Sequence, residues 1–152
     1  MPFVICTKLM SSSSSSVSSS SPFYYASAKE ICTRVLQLDS SIRFAGIANN
    51  MGTLIAYEWQ KDVEPLLNEE ELRDNIMKSV LRMKTREDYE SRLGEVIYTF
   101  ALYKKVKRAT IPLPNHHPYL AVLAVSFEVD ADHENIILDK ILPMIRREKS
   151  QA

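Results

Sequence analysis

The sequence predicts an α/β (α+β) sandwich: a five-stranded, mainly antiparallel sheet with helices on both faces. Three observations carry the prediction. Tyr119–Phe127 is a nine-residue stretch without charge, Gly or Pro. It is apolar at both parities, as a strand covered on both faces must be, and it falls well short of the ~20 apolar residues a membrane-crossing helix needs. Secondly, two β-forming runs flank Asn49-Asn-Met-Gly52, and Asn and Gly accept the positive φ that a tight hairpin demands. Thirdly, apolar residues recur at helical spacing before that hairpin, after it, and after the apolar strand.

Composition fits one soluble domain. Of the 152 residues, 1–26 are expected to be a Ser-rich flexible tail, because Ser11–Ser21 is serine except at Val17 and cannot bury enough apolar surface to offset chain entropy. Residues 27–149 form the expected domain, an ordinary size for a single core. Nineteen basic residues balance nineteen acidic ones, so overall charge does not point to nucleic acid or an anionic membrane. Cys6 and Cys32 give no disulfide framework, and Cys32 falls on the apolar side of a helix. The N-terminal apolar run is shorter than the ~7–15 residues of a signal-peptide core. A cytoplasmic location without membrane association is expected.

The elements follow in order. Ser27 and Glu30 have the spacing of a capping box, and Ile31, Val35 and Leu38 continue as a short first helix. Ile42–Ala48 and Thr53–Trp59 form the hairpin, and Pro65 lies in the connection Lys61–Leu67. Asn68 with Glu71 caps a second helix whose apolar face is Leu72, Ile76, Val80 and Met83. That helix can run on through Leu93, with a break, before Gly94 stops it. Glu95–Tyr103 reads as the third strand, Lys104–Lys107 as a turn and Arg108–Leu113 as the fourth strand. The apolar strand is fifth. Asp130-Ala-Asp132 caps a last helix bearing Ile136, Ile137, Ile141 and Ile145, which Pro143 should bend or shorten.

The hairpin IRFAGIANNMGTLIAYEW and the stretch RLGEVIYTFALYKKVKRATIPLPNHHPYLAVLAVSFEVDAD resemble the roadblock/longin-type superfamily, which includes the roadblock dynein light chains and regulators of small GTPases. Profilin-like folds are architecturally close. Within the superfamily the chain is most similar to small archaeal roadblock-like proteins of unassigned function. The resemblance spans about Ser27 to Lys149 and implies spatial strand order 2-1-5-4-3. It implies the second helix on one face, and the first and last helices on the other. It also implies a homodimer formed through the second helix and the edge strand Val96–Tyr103. The corresponding interface candidates are Met77, Val80, Leu81, Tyr98, Phe100 and Leu102.

Candidate sites are few. His116-His117 and His133, with Asp130, Asp132 or Glu134, lack the convergent spacing of a zinc site, so a solvated turn is expected and no metal. Arg82, Lys84, Arg86 and Arg92 alternate with Glu87, Asp88, Glu90 and Glu95, which predicts a salt-bridged helix surface rather than an anion site. Tyr57 and Trp59 share one side of their strand as a core edge or partner hot spot. Lys104 and Lys105 lie in a basic turn that could meet a protein partner, and nucleic acid is not expected. The three glycines are unclustered, which argues against a phosphate loop. No catalytic constellation and no cofactor signature appear. The expectation is a non-catalytic dimeric scaffold or regulatory module, acting with a small GTPase or another protein. The alternative is a profilin- or PAS-like sensor holding a small molecule between sheet and helix.

Overall fold

The computed structural model describes residues 22–113 and 120–151. The Ser-rich segment, Cys6, His116 and His117 lie outside the described residues. Strands β1 (Ile42–Asn49), β2 (Leu54–Trp59), β3 (Thr99–Leu102), β4 (Lys107–Pro112) and β5 (Leu120–Phe127) form one sheet in the order β2-β1-β5-β4-β3. All four neighbouring pairs are antiparallel. The apolar strand therefore is central, and β3 is an edge.

Helix α2 (Glu69–Glu87) covers one face. Its Leu72, Ile76 and Val80 pack with Phe44, Val122 and Ala124. The other face carries α1 (Pro22–Leu36) and a C-terminal helical run: α4 (His133–Asn135), a π-helical stretch Ile136–Ile141, and α5 (Leu142–Gln151). Here Cys32 and Val35 meet Ile111, Leu123, Ile137 and Ile141. Both faces of β5 are thus dry, which explains why its sequence does not alternate.

Local chemistry accounts for the boundaries. Asn49 Oδ1 accepts from the N–H groups of Met51 and Thr53 at 2.9 and 3.0 Å, and Gly52 supplies φ +83°. Asn68 and Glu71 exchange side-chain-to-backbone bonds of 2.8 and 3.0 Å at the start of α2. At its other end the chain breaks at Asp88 and Tyr89 before α3 (Glu90–Leu93). Gly94 closes that turn at φ +87°, its N–H donating to Glu90 O.

Three boundaries differ from expectation. Helix α1 starts at Pro22, so Ser27 lies inside it and is not its cap. Proline in a first turn costs little, because its missing N–H would have no helical acceptor there. Strand β3 is only four residues long. The N–H of Val96 donates to Glu90 Oε2 at 3.0 Å, which draws the preceding residues to α3 and away from the ladder. Pro143 does not end the last helix. The helix widens just ahead of it, with Leu142 N–H donating to Ile137 O, and continues as α5.

Candidate functional site

The site grows from one polar stripe. In α2, Asn75, Ser79, Arg82 and Arg86 follow helical spacing beside the buried stripe. This flank faces Thr99, Ala101, Arg108 and Thr110 of β3 and β4, leaving a cleft of about 120 Å³ between helix and sheet edge. Arg108 is half-buried and donates from Nη1 to Asn75 Oδ1. Burial lowers its pKa below the ordinary arginine value, Tyr103 offsets this in part, and Arg82 adds to the lowering. Among the described residues no carboxylate lies within ion-pair distance of Arg82, Arg86 or Arg108. Arg82 donates to Ser79 Oγ at 3.2 Å, and Arg86 to the Arg82 carbonyl at 3.1 Å. The salt-bridged surface expected for Arg82 and Arg86 is thus not formed: of the acids that alternate with them in sequence only Glu87 lies within α2, and Glu90 accepts from the Val96 N–H instead. The acid–base pairs that α2 does form are Arg73–Glu69 and Lys78–Asp74.

Arg108 and Asn75 also border a second concavity of about 430 Å³ at the start of α2. Its floor is apolar, from Trp59, Leu67, Leu72 and Val106, and Lys104 and Lys105 stand at its rim. No carboxylate lines either concavity. The edge itself is open. Tyr103 N–H donates to Val106 O at 2.9 Å, so the backbone of Tyr103 points toward β4. By alternation the backbone groups of Phe100 and Leu102 point outward, away from the ladder.

Comparison with solved structures places this architecture. MglB in a tetrameric arrangement superposes with a TM-score of 0.61 at 12% identity, covering 81% of this chain and 88% of that one. The gliding protein MglB from Thermus thermophilus gives 0.60 at 14%, covering 82% and 91%. A roadblock/LC7 domain from Streptomyces avermitilis gives 0.57 at 10%, covering 80% and 97%. This chain has the roadblock fold. No family model matches the sequence, and no curated protein does, so the likeness is one of shape.

The roadblock frame disperses the six sequence-derived interface residues. Val80 is 2% exposed and belongs to the core under α2; it offers no surface, because its position directly above the sheet is among the most buried on the helix. Met77 and Leu81 are exposed, but Met77 lies over the hairpin turn, 2.9 Å from where a Cβ on Gly52 would stand. That is the flank of α2 away from β3. Tyr98 packs against the core on the opposite sheet face. Phe100 stacks there on His133 at 3.9 Å between ring centroids, and Leu102 follows it by alternation. Of the partner-surface residues, Trp59, Lys104 and Lys105 do converge on the apolar groove. Tyr57 packs against Phe44 instead, at 5.9 Å between centroids.

His133 is a packing residue. Its Nδ1 is buried without a hydrogen-bond partner among the described residues, and desolvation, then Lys107, lower its pKa. Among the described residues no three His, Cys, Asp or Glu side chains are placed to share a metal ion, and no helix is long and apolar enough to cross a membrane. The residues that sequence reasoning missed are Asn75, Ser79 and Arg108. The spacing Asn75–Ser79–Arg82–Arg86 was the available signal, a second stripe beside the apolar one.

Proposed function

We propose that this chain is a non-catalytic regulatory module that docks another chain across the β3 edge and the adjoining flank of α2, extending its sheet, and that the assembly acts with a small GTPase. The observation that carries this reading is the uncovered edge: a four-residue strand with the backbone of Phe100 and Leu102 directed outward is a template for strand addition. The roadblock fold supports it, since one similar structure is an MglB in a tetrameric arrangement. The groove at Trp59, Lys104 and Lys105 provides a second surface, with an aromatic floor and a cationic rim suited to a protein contact. The edge also admits a second copy of this chain. Molar mass should therefore rise above that of the monomer at high protein concentration and about 0.5 M salt, where repulsion between surface charges is screened within a few ångströms. Leu102→Pro removes an outward N–H and leaves the internal ladder intact. It should hold the chain monomeric under those conditions. Association of Leu102→Pro as strong as that of wild type would overturn the reading.

A second reading is favoured by one feature. An open, largely apolar groove of about 430 Å³ has the size of a small-molecule site. A sensor would show thermal stabilisation by an apolar ligand, and Trp59→Ala would abolish it.

A further inference from the structure

A single cross-strand row crosses the sheet face beside the start of α2. Taken over β2, β1, β5 and β4 it reads Trp59, Phe44, Ser126, Arg108, each in register with the next. The row is polarised. At one end Trp59 packs on the buried Phe44, with ring centroids 4.7 Å apart. At the other end the half-buried Arg108 donates, among the described residues, only to the neutral oxygen of Asn75. Trp59, Ser126 and Arg108 all line the groove of about 430 Å³, where Leu67, Leu72 and Val106 add apolar wall. Lys104 and Lys105 stand exposed at its rim. Arg43 lines it too, but already holds Glu128 at 3.3 Å and the Glu64 carbonyl at 3.1 Å. Among the described residues Lys104, Lys105 and Arg108 have no acidic partner, and no carboxylate lines the groove.

We propose that this groove binds a single-chain amphipathic carboxylate, with its head on Arg108 and its chain laid toward Trp59. The proposal rests on the small-molecule reading above and names its ligand class. Length and charge both argue for it. Trp59 and Arg108 are three strand spacings apart, about 14 Å at roughly 4.8 Å each, which an extended chain of about ten carbons spans. A guanidinium that has lost part of its hydration gains most from a carboxylate, which takes paired bonds from its fork of donors. The Ser126 hydroxyl beside it is a further donor to the head. A free inorganic anion would leave the apolar wall in water, and an uncharged hydrocarbon would leave Arg108 without a counter-charge.

Decanoate, kept below the concentration at which it forms micelles, is the probe. Trp59 is the only tryptophan in the chain, so its fluorescence reports occupancy directly, and calorimetry on the full-length protein gives the affinity. Saturable binding is expected, tightening about two- to fourfold per methylene from octanoate to decanoate. Decanoate should also bind at least ~10-fold more tightly than decanol. Arg108→Gln should remove that preference and leave decanol affinity unchanged. Asn75→Asp sets a resident carboxylate on Arg108 and should do the same while keeping the guanidinium, so a folding defect in Arg108→Gln would not obscure the result. Equal affinity of wild type for decanoate and decanol would overturn the carboxylate inference and leave a groove for neutral ligands. A preference for decanoate that both variants retain would overturn the placement of the head on Arg108. No heat and no Trp59 signal with any of the three ligands would overturn both this proposal and the small-molecule reading.

Discussion

Substituting Asn75 tests directly whether Arg108 lacks a counter-charge. Asn75→Ala removes the oxygen that accepts from Arg108. Leaving a partly buried charged donor unsatisfied costs about 1–3 kcal/mol, and alanine returns some 0.5 kcal/mol of helix propensity. The net loss should be about 1–2 kcal/mol. Asn75→Asp does the opposite. It keeps the acceptor, adds the absent charge, and leaves helix propensity nearly unchanged. Charge-assisted bonds are roughly twice as strong as neutral ones, so the expected gain is about 1 kcal/mol. The nearby Asp74 limits it, although Lys78 holds that carboxylate at 2.8 Å. The two variants should differ by about 2–3 kcal/mol in urea unfolding at neutral pH, or roughly 10 °C in Tm for a domain of this size. The gain from aspartate requires ionisation, and pairing with arginine depresses its pKa in the folded chain. The gain should be present above pH ~4 and vanish as pH falls through that depressed value. Variants within about 0.5 kcal/mol of each other, at all pH values, would refute the idea that Arg108 is held without an adequate partner.

Other predictions follow from the core and the termini of elements. Ile76 is fully buried between α2 and the sheet, so Ile76→Ala should cost about 2–5 kcal/mol in urea unfolding. Cys32 is buried, its Sγ donating to the Ala56 carbonyl at 3.6 Å, and burial pushes its thiol pKa up to about 12. It should resist alkylation at pH 8 in the native chain and react promptly in denaturant. Asp39 accepts from the Ser41 hydroxyl and N–H at 2.6 and 2.9 Å and from Lys140 at 3.0 Å, which lowers its pKa from 3.8 to about 2. The sign is that of a depressed carboxylate: the stabilisation is present above pH 3.8 and lost as pH falls through about 2. Asp39→Asn should therefore destabilise the chain by about 1 kcal/mol near neutrality, after allowance for solvent screening, and by nothing at the acid end.

What the sequence made legible were features decided locally. The hairpin turn was written in Asn49 and Gly52, the start of α2 in Asn68 and Glu71, and the central strand in the unbroken apolar run of β5. Each depends on neighbours in the chain. What stayed hidden depended on distant groups. The length of β3 is set by Glu90, which takes the Val96 N–H. The last helix passes Pro143 because the π-helical turn before it absorbs the missing donor. Within one chain the interface candidates lie on different faces for a related reason: apolar character on α2 and on β3 gives no information about which flank or face each side chain occupies. Met77 leans to the hairpin, whereas Phe100 meets His133 across the sheet. The cleft was missed because Arg108 reads as the first residue of the fourth strand until the fold sets it beside Asn75, and because charges close in sequence need not be close in space.

The most direct test of edge docking is amide hydrogen exchange at Phe100 and Leu102. Their N–H groups point away from β4, so both should exchange rapidly in the free chain, while Ala101 and Tyr103, whose backbones face β4, exchange more slowly. When wild type self-associates at high protein concentration and about 0.5 M salt, Phe100 and Leu102 should slow by at least ~10-fold, as expected if a second strand accepts their bonds. Association without any change at these two amides would contradict docking across β3.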